Sequence, residues 1–298
     1  MDRKTNLNSK TLLSISLINY NNMELLKKCL ISIYKNIRKI KFEVLLVDNA
    51  SKDGSVKMVQ QLFPKVKLTK NKKNLIFTKA HNQNLSKIRG KYFLVLNEDI
   101  QIFKHSIEGI ISFLESNPKA GLASCAQIDK TGKIDKTCSR LPHPLLEFFE
   151  YTFTGKVLRK ILNFKKIERG IKKYRYFAWN RKSIRQVEVL PGSFLLGKTE
   201  LLKKVGLFDE NLLLFYEEPD LCQRARKKGY LSFHFGKVKV MHLKSRAIAK
   251  LPIFTRYRIA EHDLLNYYKK YFGYKWYLFL WFSLRPNWLY WRIKSIND

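Results

Sequence analysis

The first half of the chain alternates short apolar runs with segments in which apolar residues recur at helical spacing. Runs rich in Leu, Ile, Val and Phe predict buried strands at residues 11–18, 42–47, 66–69 and 92–96. Segments with a period of about 3.6 residues predict helices at residues 23–35, 55–63, 78–87 and 105–115. Strands that alternate with helices are typical of an α/β protein with a mostly parallel sheet.

Polar side chains follow three of these strands at the point where each strand ends. They are Tyr20 and Asn21, Asp48 and Asn49, and Asn97, Glu98 and Asp99. Because ligands bind beyond the carboxyl ends of parallel strands, the three clusters together predict a nucleotide pocket. The patterns G-x-G-x-x-G and G-x-x-x-x-G-K-[ST] do not occur, which argues against a dinucleotide fold and a P-loop ATPase.

One acidic stretch in the second half combines three carboxylates with an apolar flank. Glu217, Glu218 and Asp220 follow the apolar residues 212–215. Like charges at short range raise one another's pKa, which prepares a carboxylate to accept a proton near neutral pH. The same residues also fit an ordinary helix start, with Pro219 in the first turn and Asp220 favoured by the helix dipole. The residues alone allow both interpretations.

The composition is strongly basic. The 298 residues include 58 Lys and Arg against 24 Asp and Glu, a formal net charge of +34. This excess indicates nucleic acid, anionic lipid or a phosphorylated substrate as a partner, although a preference for Lys on solvated surfaces explains part of it. The four cysteines show no zinc spacing, and Cys29 and Cys222 lie in apolar helical patterns. We therefore expect buried thiols in a reducing compartment.

Two segments have the composition of a membrane-surface element. Residues 156–185 carry 12 Lys or Arg and one acid, and include Val157, Leu158, Ile161, Leu162 and Phe164 at near-helical spacing. Residues 271–291 contain four Trp among Tyr, Phe and flanking basic residues, which fits a membrane interface. A solvated insertion and a helical tail packed on the domain are the alternatives. Residues 1–10 lack a signal-peptide core, and no run of about 18 apolar residues predicts a membrane span.

Four short motifs carry a family resemblance. Residues 47–55 read VDNASKDGS, residues 96–99 read LNED, residues 206–210 and 217–224 read GLFDE and EEPDLCQR, and residues 240–242 read VMH. In order and spacing along residues 11–245 they resemble the signature, the D-x-D-type metal motif and the base-bearing motif of family 2 glycosyltransferases with the GT-A fold. The subgroup that the chain resembles most is the bacterial rhamnosyltransferase-like enzymes of cell-surface polysaccharide synthesis.

This resemblance implies a fold and an activity. It implies a Rossmann-like GT-A domain over residues 1–245, with a mixed, mostly parallel sheet flanked by helices and a basic insertion at about 140–187. An aromatic-rich, C-terminal helical extension for the membrane interface would occupy residues 246–298. The implied reaction is an inverting transfer of a sugar, with rhamnose as a candidate, from a nucleotide-diphosphate-sugar to a glycan or lipid-linked acceptor. Mg²⁺ or Mn²⁺ would stabilise the leaving diphosphate.

The resemblance also implies roles for individual residues. Asp99 and His242 would hold the metal ion, and Glu218 would be the catalytic base, with Glu217 as a rival. Asp220 would position the same loop and pair with Arg224 four residues away. The implied nucleotide-sugar site comprises Tyr20, Asn21, Asp48, Asn49, Asp53, Lys79, Asn82, Asn97, Gly192, Ser193 and Arg224. Ile76 and Asn84 stand where the family usually has Gly, so we expect the donor pocket to differ locally.

We therefore predict an enzyme that works peripherally on the inner, cytoplasmic face of the cell membrane, near anionic lipid. A basic nucleic-acid-binding protein is a second hypothesis, because of the charge of +34 and the 13% aromatic content. The acidic clusters at the strand ends argue against nucleic acid as a partner. A non-catalytic scaffold that binds a nucleotide sugar or glycan is the third hypothesis. The sequence predicts no particular oligomeric state.

Overall fold

The computed structural model describes residues 11–162, 165–244 and 250–295 of the chain. The predictions for residues 1–10, for Phe164 and for a domain boundary between residues 245 and 246 lie outside the described residues. Within the described residues there are nine strands: β1 (Leu13–Asn19), β2 (Phe42–Asp48), β3 (Lys67–Lys70), β4 (Tyr92–Asn97), β5 (Ile100–Ile102), β6 (Ala120–Ile128), β7 (Ile184–Val187), β8 (Phe194–Lys198) and β9 (Leu231–His242).

Helices cover both faces of the sheet and form the C-terminal part of the structure. They are α1 (Met23–Asn36), α2 (Ser55–Leu62), α3 (Thr78–Leu85), α4 (Ser106–Ser116), α5 (Pro144–Tyr151), α6 (Phe153–Ile161), α7 (Lys165–Tyr174), α8 (Thr199–Val205), α9 (Glu217–Lys227), α10 (Ile253–Phe272), α11 (Tyr274–Ser283) and α12 (Arg285–Lys294).

The strands form one mixed sheet in the order β3-β2-β1-β4-β8-β6-β9-β5, with β7 paired to β9. Strands β1, β2, β3, β4, β6 and β9 run in one direction, and β5, β7 and β8 run against it. The predicted mixed, mostly parallel sheet flanked by helices is therefore confirmed. The first four predicted strands and the helices between them are all present, within a few residues of the predicted bounds.

Side chains along β1 point alternately to the two faces of the sheet, and each face is covered by a layer of helices. Leu13, Ile15 and Leu17 point to one face, where they join the core that includes α1 and α4. Ser14 and Ser16 point to the other face, where Ser16 bonds to His81 of α3. Every residue from Leu13 to Leu17 is buried, as a strand at the centre of a parallel sheet should be.

Strand β6 is not predicted by the sequence pattern. Its sequence, AGLASCAQI, is rich in small residues with low strand propensity, yet all but the last of its residues are buried. A Cβ atom at Gly121 would lie 2.6 Å from Leu201 and 2.7 Å from Tyr230, so the strand needs a glycine there. The segment at residues 127–155, expected to be rich in loops, contains α5 and the start of α6.

The C-terminal helices pack on the sheet domain. Both carboxylate oxygens of Asp263, which is fully buried in α10, accept bonds from the backbone N–H groups of Leu213, Leu214 and Phe215 at 2.9 Å. Further along α10, Lys270 and Tyr271 each donate to Asp220 Oδ1 at 2.6 Å. Helix α10 therefore fixes both the loop before α9 and the first turn of α9. In the part of the chain that the structure describes, no helix combines the length and apolarity needed to cross a membrane.

We expect Asp263→Ala to lower the free energy of unfolding by about 3 kcal/mol, because it leaves three buried N–H groups without an acceptor. Urea denaturation followed by circular dichroism measures this. Asp263→Asn, which keeps one acceptor oxygen, should lose less. Glu115→Ala, which removes an exposed carboxylate paired with Lys91, is the matched control and should cost less than about 1 kcal/mol. Equal losses for Asp263→Ala and the control would contradict the account.

Candidate active site

Two adjoining cavities open at the carboxyl ends of β1 and β4. The first cavity, of about 320 Å³, has among its lining residues Tyr20, Asn49, Asp99 and His242. The second cavity, of about 800 Å³, has among its lining residues Gly192, Ser193, Glu217 and Glu218. Phe77, Asn97 and Leu214 line both, so the two cavities are compartments of one cleft. This is the edge of the sheet at which the sequence predicts a ligand.

Strand pairing brings Asp99 and His242 together although 142 intervening residues separate them in sequence. Strands β5 and β9 are antiparallel, and Ile100, next to Asp99, lies opposite His242. The backbone carbonyl of Asp99 accepts a bond from Leu243 N–H at 2.9 Å, which fixes the pair further. His242 Nε2 lies 3.4 Å from Asp99 Oδ1.

The pair fits one divalent cation. Cis ligands of an octahedral ion with bonds of about 2.1 Å lie about 3.0 Å apart, close to the 3.4 Å observed here. A carboxylate oxygen suits Mg²⁺, and an imidazole nitrogen makes Mn²⁺ equally acceptable. No cluster of three or more metal-ligating side chains occurs within residues 11–162, 165–244 and 250–295. The remaining coordination positions would therefore belong to substrate oxygens and water, as is usual for Mg²⁺ sites.

Glu98, beside Asp99, is a lining residue of the first cavity that the residue-by-residue prediction misses. It is buried and accepts a bond from Asn22 Nδ2 at 2.6 Å. Burial, helped by the neighbouring charge of Asp99, raises the pKa of Glu98 to about 7. Lys244 also lines this cavity, and its Nζ donates to Asp135 Oδ1 at 2.6 Å.

Three residues predicted to bind the nucleotide are not among the lining residues of the first cavity: Asn21, Asp48 and Asp53. Their side chains instead form hydrogen bonds within the loops that surround it. Asp48 is buried and accepts bonds from Asn19 Nδ2 at 3.0 Å and Ser51 N–H at 2.8 Å. Asp53 accepts a bond from Met23 N–H at 2.7 Å. Asn21 Oδ1 accepts a bond from Lys52 N–H at 2.7 Å. These bonds tie the loop after β1 to the loop after β2.

Asn82 and Arg224 have a similar supporting position, and Lys79 lies on the exposed face of α3. Asn82 exchanges two bonds with the backbone of Phe208, at 2.9 and 3.1 Å. Arg224 donates to Asp220 Oδ2 at 2.7 Å, as its spacing predicts, and also to the carbonyl oxygens of residues 205–207. The motifs at 206–210 and 217–224 are therefore bonded to each other. None of Lys79, Asn82 and Arg224 lines either cavity.

The two positions where the family usually has glycine differ from each other. Ile76 lines the first cavity with φ +62°, a left-handed conformation that a β-branched residue rarely adopts. Two bonds hold it there, from Ile76 N–H to Asn74 Oδ1 and from Asn49 Nδ2 to the Ile76 carbonyl. Asn84 is buried and donates to the carbonyl oxygens of Leu17 and Leu45, linking α3 to β1 and β2.

Glu218 approaches the backbone of Gly192 closely. Its Oε1 accepts a bond from Gly192 N–H at 2.8 Å. A Cβ atom at Gly192 would lie 2.6 Å from that oxygen, so only glycine allows the contact. Burial raises the pKa of Glu218, and the N–H bond opposes that rise.

Glu217 is more deeply buried than Glu218. Burial raises the pKa of Glu217 well above 4.5, and the adjacent charge of Glu218 raises it further. Its Oε2 has no hydrogen-bond partner among the described residues. The preceding residue, Tyr216, adopts φ +65° and donates to the buried Glu147 at 2.6 Å. The two expected properties of this stretch, a helix start and a pair of carboxylates with raised pKa values, therefore occur together.

Comparison with known proteins identifies the family of this chain. The family model for glycosyl transferase family 2 matches residues 14–190. An N-acetylglucosaminyl-diphospho-decaprenol L-rhamnosyltransferase of Mycobacterium tuberculosis is 26% identical over 220 residues, which cover 70% of this chain and 69% of the relative.

Solved structures support the fold. The mannosyltransferase PcManGT from Pyrobaculum calidifontis, in complex with GDP-Man and Mn²⁺, matches with a TM-score of 0.57 at 18% identity. That match covers 88% of this chain but only 64% of the mannosyltransferase. Residues 1–349 of S. aureus TarS match with a TM-score of 0.51 at 15% identity, covering 87% of this chain and 72% of TarS 1–349. These likenesses confirm the predicted GT-A fold.

The family match spans more than half of the 298 residues and includes the ends of β1, β2 and β4 at the first cavity. The chain belongs to glycosyl transferase family 2.

Proposed function

We propose that this glycosyltransferase moves a sugar from a nucleotide-diphosphate donor to a hydroxyl group of a lipid-linked glycan acceptor, with inversion. One observation carries the proposal: the Asp99–His242 pair and the Glu217–Glu218 pair face adjoining cavities that meet at Asn97. A cation for the diphosphate on one side and a carboxylate base on the other are the groups that such a displacement needs. The relative that acts on a decaprenol-linked substrate supports a lipid-linked acceptor and rhamnose as the sugar.

The first cavity takes the donor. Tyr20 offers an aromatic face to the nucleobase of the donor, and the Asn49 and Asn97 side-chain amides offer hydrogen bonds to the nucleotide sugar. Asn21, Asp48 and Asp53 support the donor site through the bonded loops after β1 and β2 and do not contact the donor themselves. Asp99 and His242 hold Mg²⁺ or Mn²⁺, which when bound neutralises charge on the leaving diphosphate.

The second cavity takes the acceptor, and Glu218 is the base. As the acceptor oxygen bonds to the anomeric carbon, its proton passes to Glu218 and the bond to the diphosphate breaks on the opposite face. The Gly192 N–H group orients the Glu218 carboxylate. Glu217, whose buried Oε2 has no hydrogen-bond partner among the described residues, keeps its proton, whereas the Gly192 N–H group favours the ionised form of Glu218. Asp220 holds the first turn of α9 through Arg224, Lys270 and Tyr271. Ser193, bonded to Gln127, shapes the wall at the junction.

The enzyme works peripherally on the inner face of the cell membrane. The net charge of +34 and the aromatic C-terminal helices favour contact with anionic lipid, where a lipid-linked acceptor resides.

We expect Asp99→Ala and His242→Ala each to weaken Mn²⁺-dependent binding of a nucleoside diphosphate by at least about 100-fold, because each removes one of two protein ligands. Calorimetric titration with UDP and with GDP, with and without Mn²⁺, measures this. Glu115→Ala, which removes an exposed carboxylate at the end of α4, is the matched control and should bind as the unmodified protein does. Unchanged Mn²⁺ dependence in both site variants would rule out this metal site.

We expect Glu218→Gln to lower kcat by about 10²- to 10⁴-fold, because the amide cannot accept the proton. Glu217→Gln should lower kcat less than about tenfold, because Glu217 already carries a proton. The donor used in the assay is the one that a thermal-shift panel of nucleotide sugars identifies. A reversed order would assign the base to Glu217, and full activity in both variants would favour the scaffold hypothesis.

The dependence of activity on pH in the same variants checks the assignment of Glu218 as the catalytic base. Because burial raises the pKa of Glu218 above 4.5, activity should fall as pH drops through that raised pKa. The residual activity of Glu218→Gln should lack this acid limb. If the limb persists unchanged in Glu218→Gln, another group controls it.

A further inference from the structure

We propose that α6, α11 and α12 form a docking face for an anionic membrane, and that the second cavity opens beside this face to receive the acceptor from the lipid surface. The part of the proposal that concerns the acceptor depends on the proposed function. The docking face itself depends only on the surface described below.

Each of the three helices exposes an apolar stripe at helical spacing. On α6 the stripe is Phe153, Val157 and Ile161, of which Phe153 is 60% exposed and Ile161 70%. On α11 and α12 the exposed residues are Tyr274, Leu278, Phe282, Leu289, Tyr290 and Ile293. Apolar side chains exposed at such spacing on neighbouring helices mark an interaction surface.

The stripes belong to one surface because the helices that carry them are bonded to one another. Phe153 N–H donates to Asn287 Oδ1 at the start of α12, at 2.7 Å. Thr154 Oγ1 donates to the carbonyl oxygen of Ser283 at the end of α11, at 3.4 Å. Helix α6 therefore lies against the junction of α11 and α12. The opposite side of α11 buries Leu280 in the C-terminal core, and Leu284, between α11 and α12, is buried in the same core.

The charge of this surface identifies the partner. Helices α6, α11 and α12 contain no acidic residue and seven basic residues: Lys156, Arg159, Lys160, Lys275, Arg285, Arg292 and Lys294. Arg285 pairs with Glu261, whereas Arg292 and Lys294 lie over the rings of Trp288 and Trp291. Basic residues beside apolar and Trp side chains complement an anionic lipid surface. A second copy of the chain would present the same charge, and nucleic acid would leave the apolar stripes uncovered.

The second cavity connects this surface to the candidate base. Lys156 of α6 and Asn287 and Trp291 of α12 line one part of the cavity, and Glu218 and Gly192 line another. The described helices lack the length and apolarity to cross a bilayer, so they would lie in its interface. In that position the lipid part of the acceptor stays in the membrane while its sugar reaches Glu218.

Vesicle sedimentation tests the docking face. The whole protein is mixed with vesicles of phosphatidylglycerol and phosphatidylcholine in equal parts, and with vesicles of phosphatidylcholine alone. We expect binding to the first kind only, weakened by added salt. The triple variant Lys160→Ala, Arg292→Ala, Lys294→Ala should lower the partition coefficient by about 100-fold, at about fivefold per cation.

Two further variants distinguish the effect of the docking face on vesicle binding from effects of net charge and of misfolding. The triple variant Lys28→Ala, Lys57→Ala, Lys65→Ala removes the same charge from the exposed surface around α1 and α2, and should bind within about twofold of the unmodified protein, because those cations lie away from the lipid. Phe153→Ser, Ile161→Ser, Phe282→Ser should also reduce binding strongly, because it removes apolar area that enters the bilayer. All three variants should bind UDP or GDP with Mn²⁺ as the unmodified protein does, which shows that they are folded.

Several results would overturn the docking face. One is equal binding to both kinds of vesicle. Another is an equal loss of vesicle binding in the two triple variants that remove basic residues. A third is unaltered vesicle binding in the triple variant that removes apolar residues. A dimer in light scattering that the apolar variant converts to a monomer, with vesicle binding unaltered, would assign the face to a second copy. Vesicle binding that follows the prediction in a protein without transferase activity would support docking while refuting the proposed function.

Discussion

The buried carboxylate of Asp263 is the contact on which the geometry of the site depends. By accepting three backbone N–H groups from residues 213–215, it fixes the strip of chain that forms the wall between the two cavities. The same helix reaches the start of α9 through Lys270 and Tyr271, which bond to Asp220. Helix α10 is therefore part of the scaffold of the site. A C-terminal helix that served only to bind the membrane would not need these contacts with the site.

Burial of acidic groups is the second physical theme of the cleft. Glu98 and Glu217 lie in the walls of the two cavities and have raised pKa values because water is excluded from their carboxyl groups. In a chain with a net charge of +34, these two buried acids are local sites that retain a proton. The surrounding positive surface suits a diphosphate substrate, and the proton transfer that we propose belongs to Glu218.

Sequence patterns predict β1 to β4 and the polar residues at the ends of β1, β2 and β4, because buried strands and helical periods are local signals. The pairing of β5 with β9 is not predicted from the pattern, and the expectation for Asp99 and His242 rests on the family resemblance. Sequence patterns do not distinguish a residue that touches a ligand from one that holds a loop. Asp48, Asp53 and Asn82 fit the motifs, yet their side chains bond to neighbouring loops.

Other features are decided by tertiary context. Strand β6 needs a glycine at position 121 because Leu201 and Tyr230, on the adjoining helix and loop, lie close to it. Glu147, one of two acids in the otherwise apolar α5, gives no local sign that it will meet Tyr216. The C-terminal aromatics fit both a packed tail and a membrane surface. In the structure α11 buries Leu280 on one side and exposes Leu278 and Phe282, a division that periodicity alone does not assign.

A crystal structure with Mn²⁺ and the nucleoside diphosphate that binds best, recorded at the manganese absorption edge, tests the central claim most directly. The account predicts an anomalous peak between Asp99 and His242, with the nucleoside in the first cavity and its terminal phosphate facing Asn97 and the second cavity. A manganese ion bound elsewhere, or a nucleotide lying in the second cavity against Glu218, would contradict it.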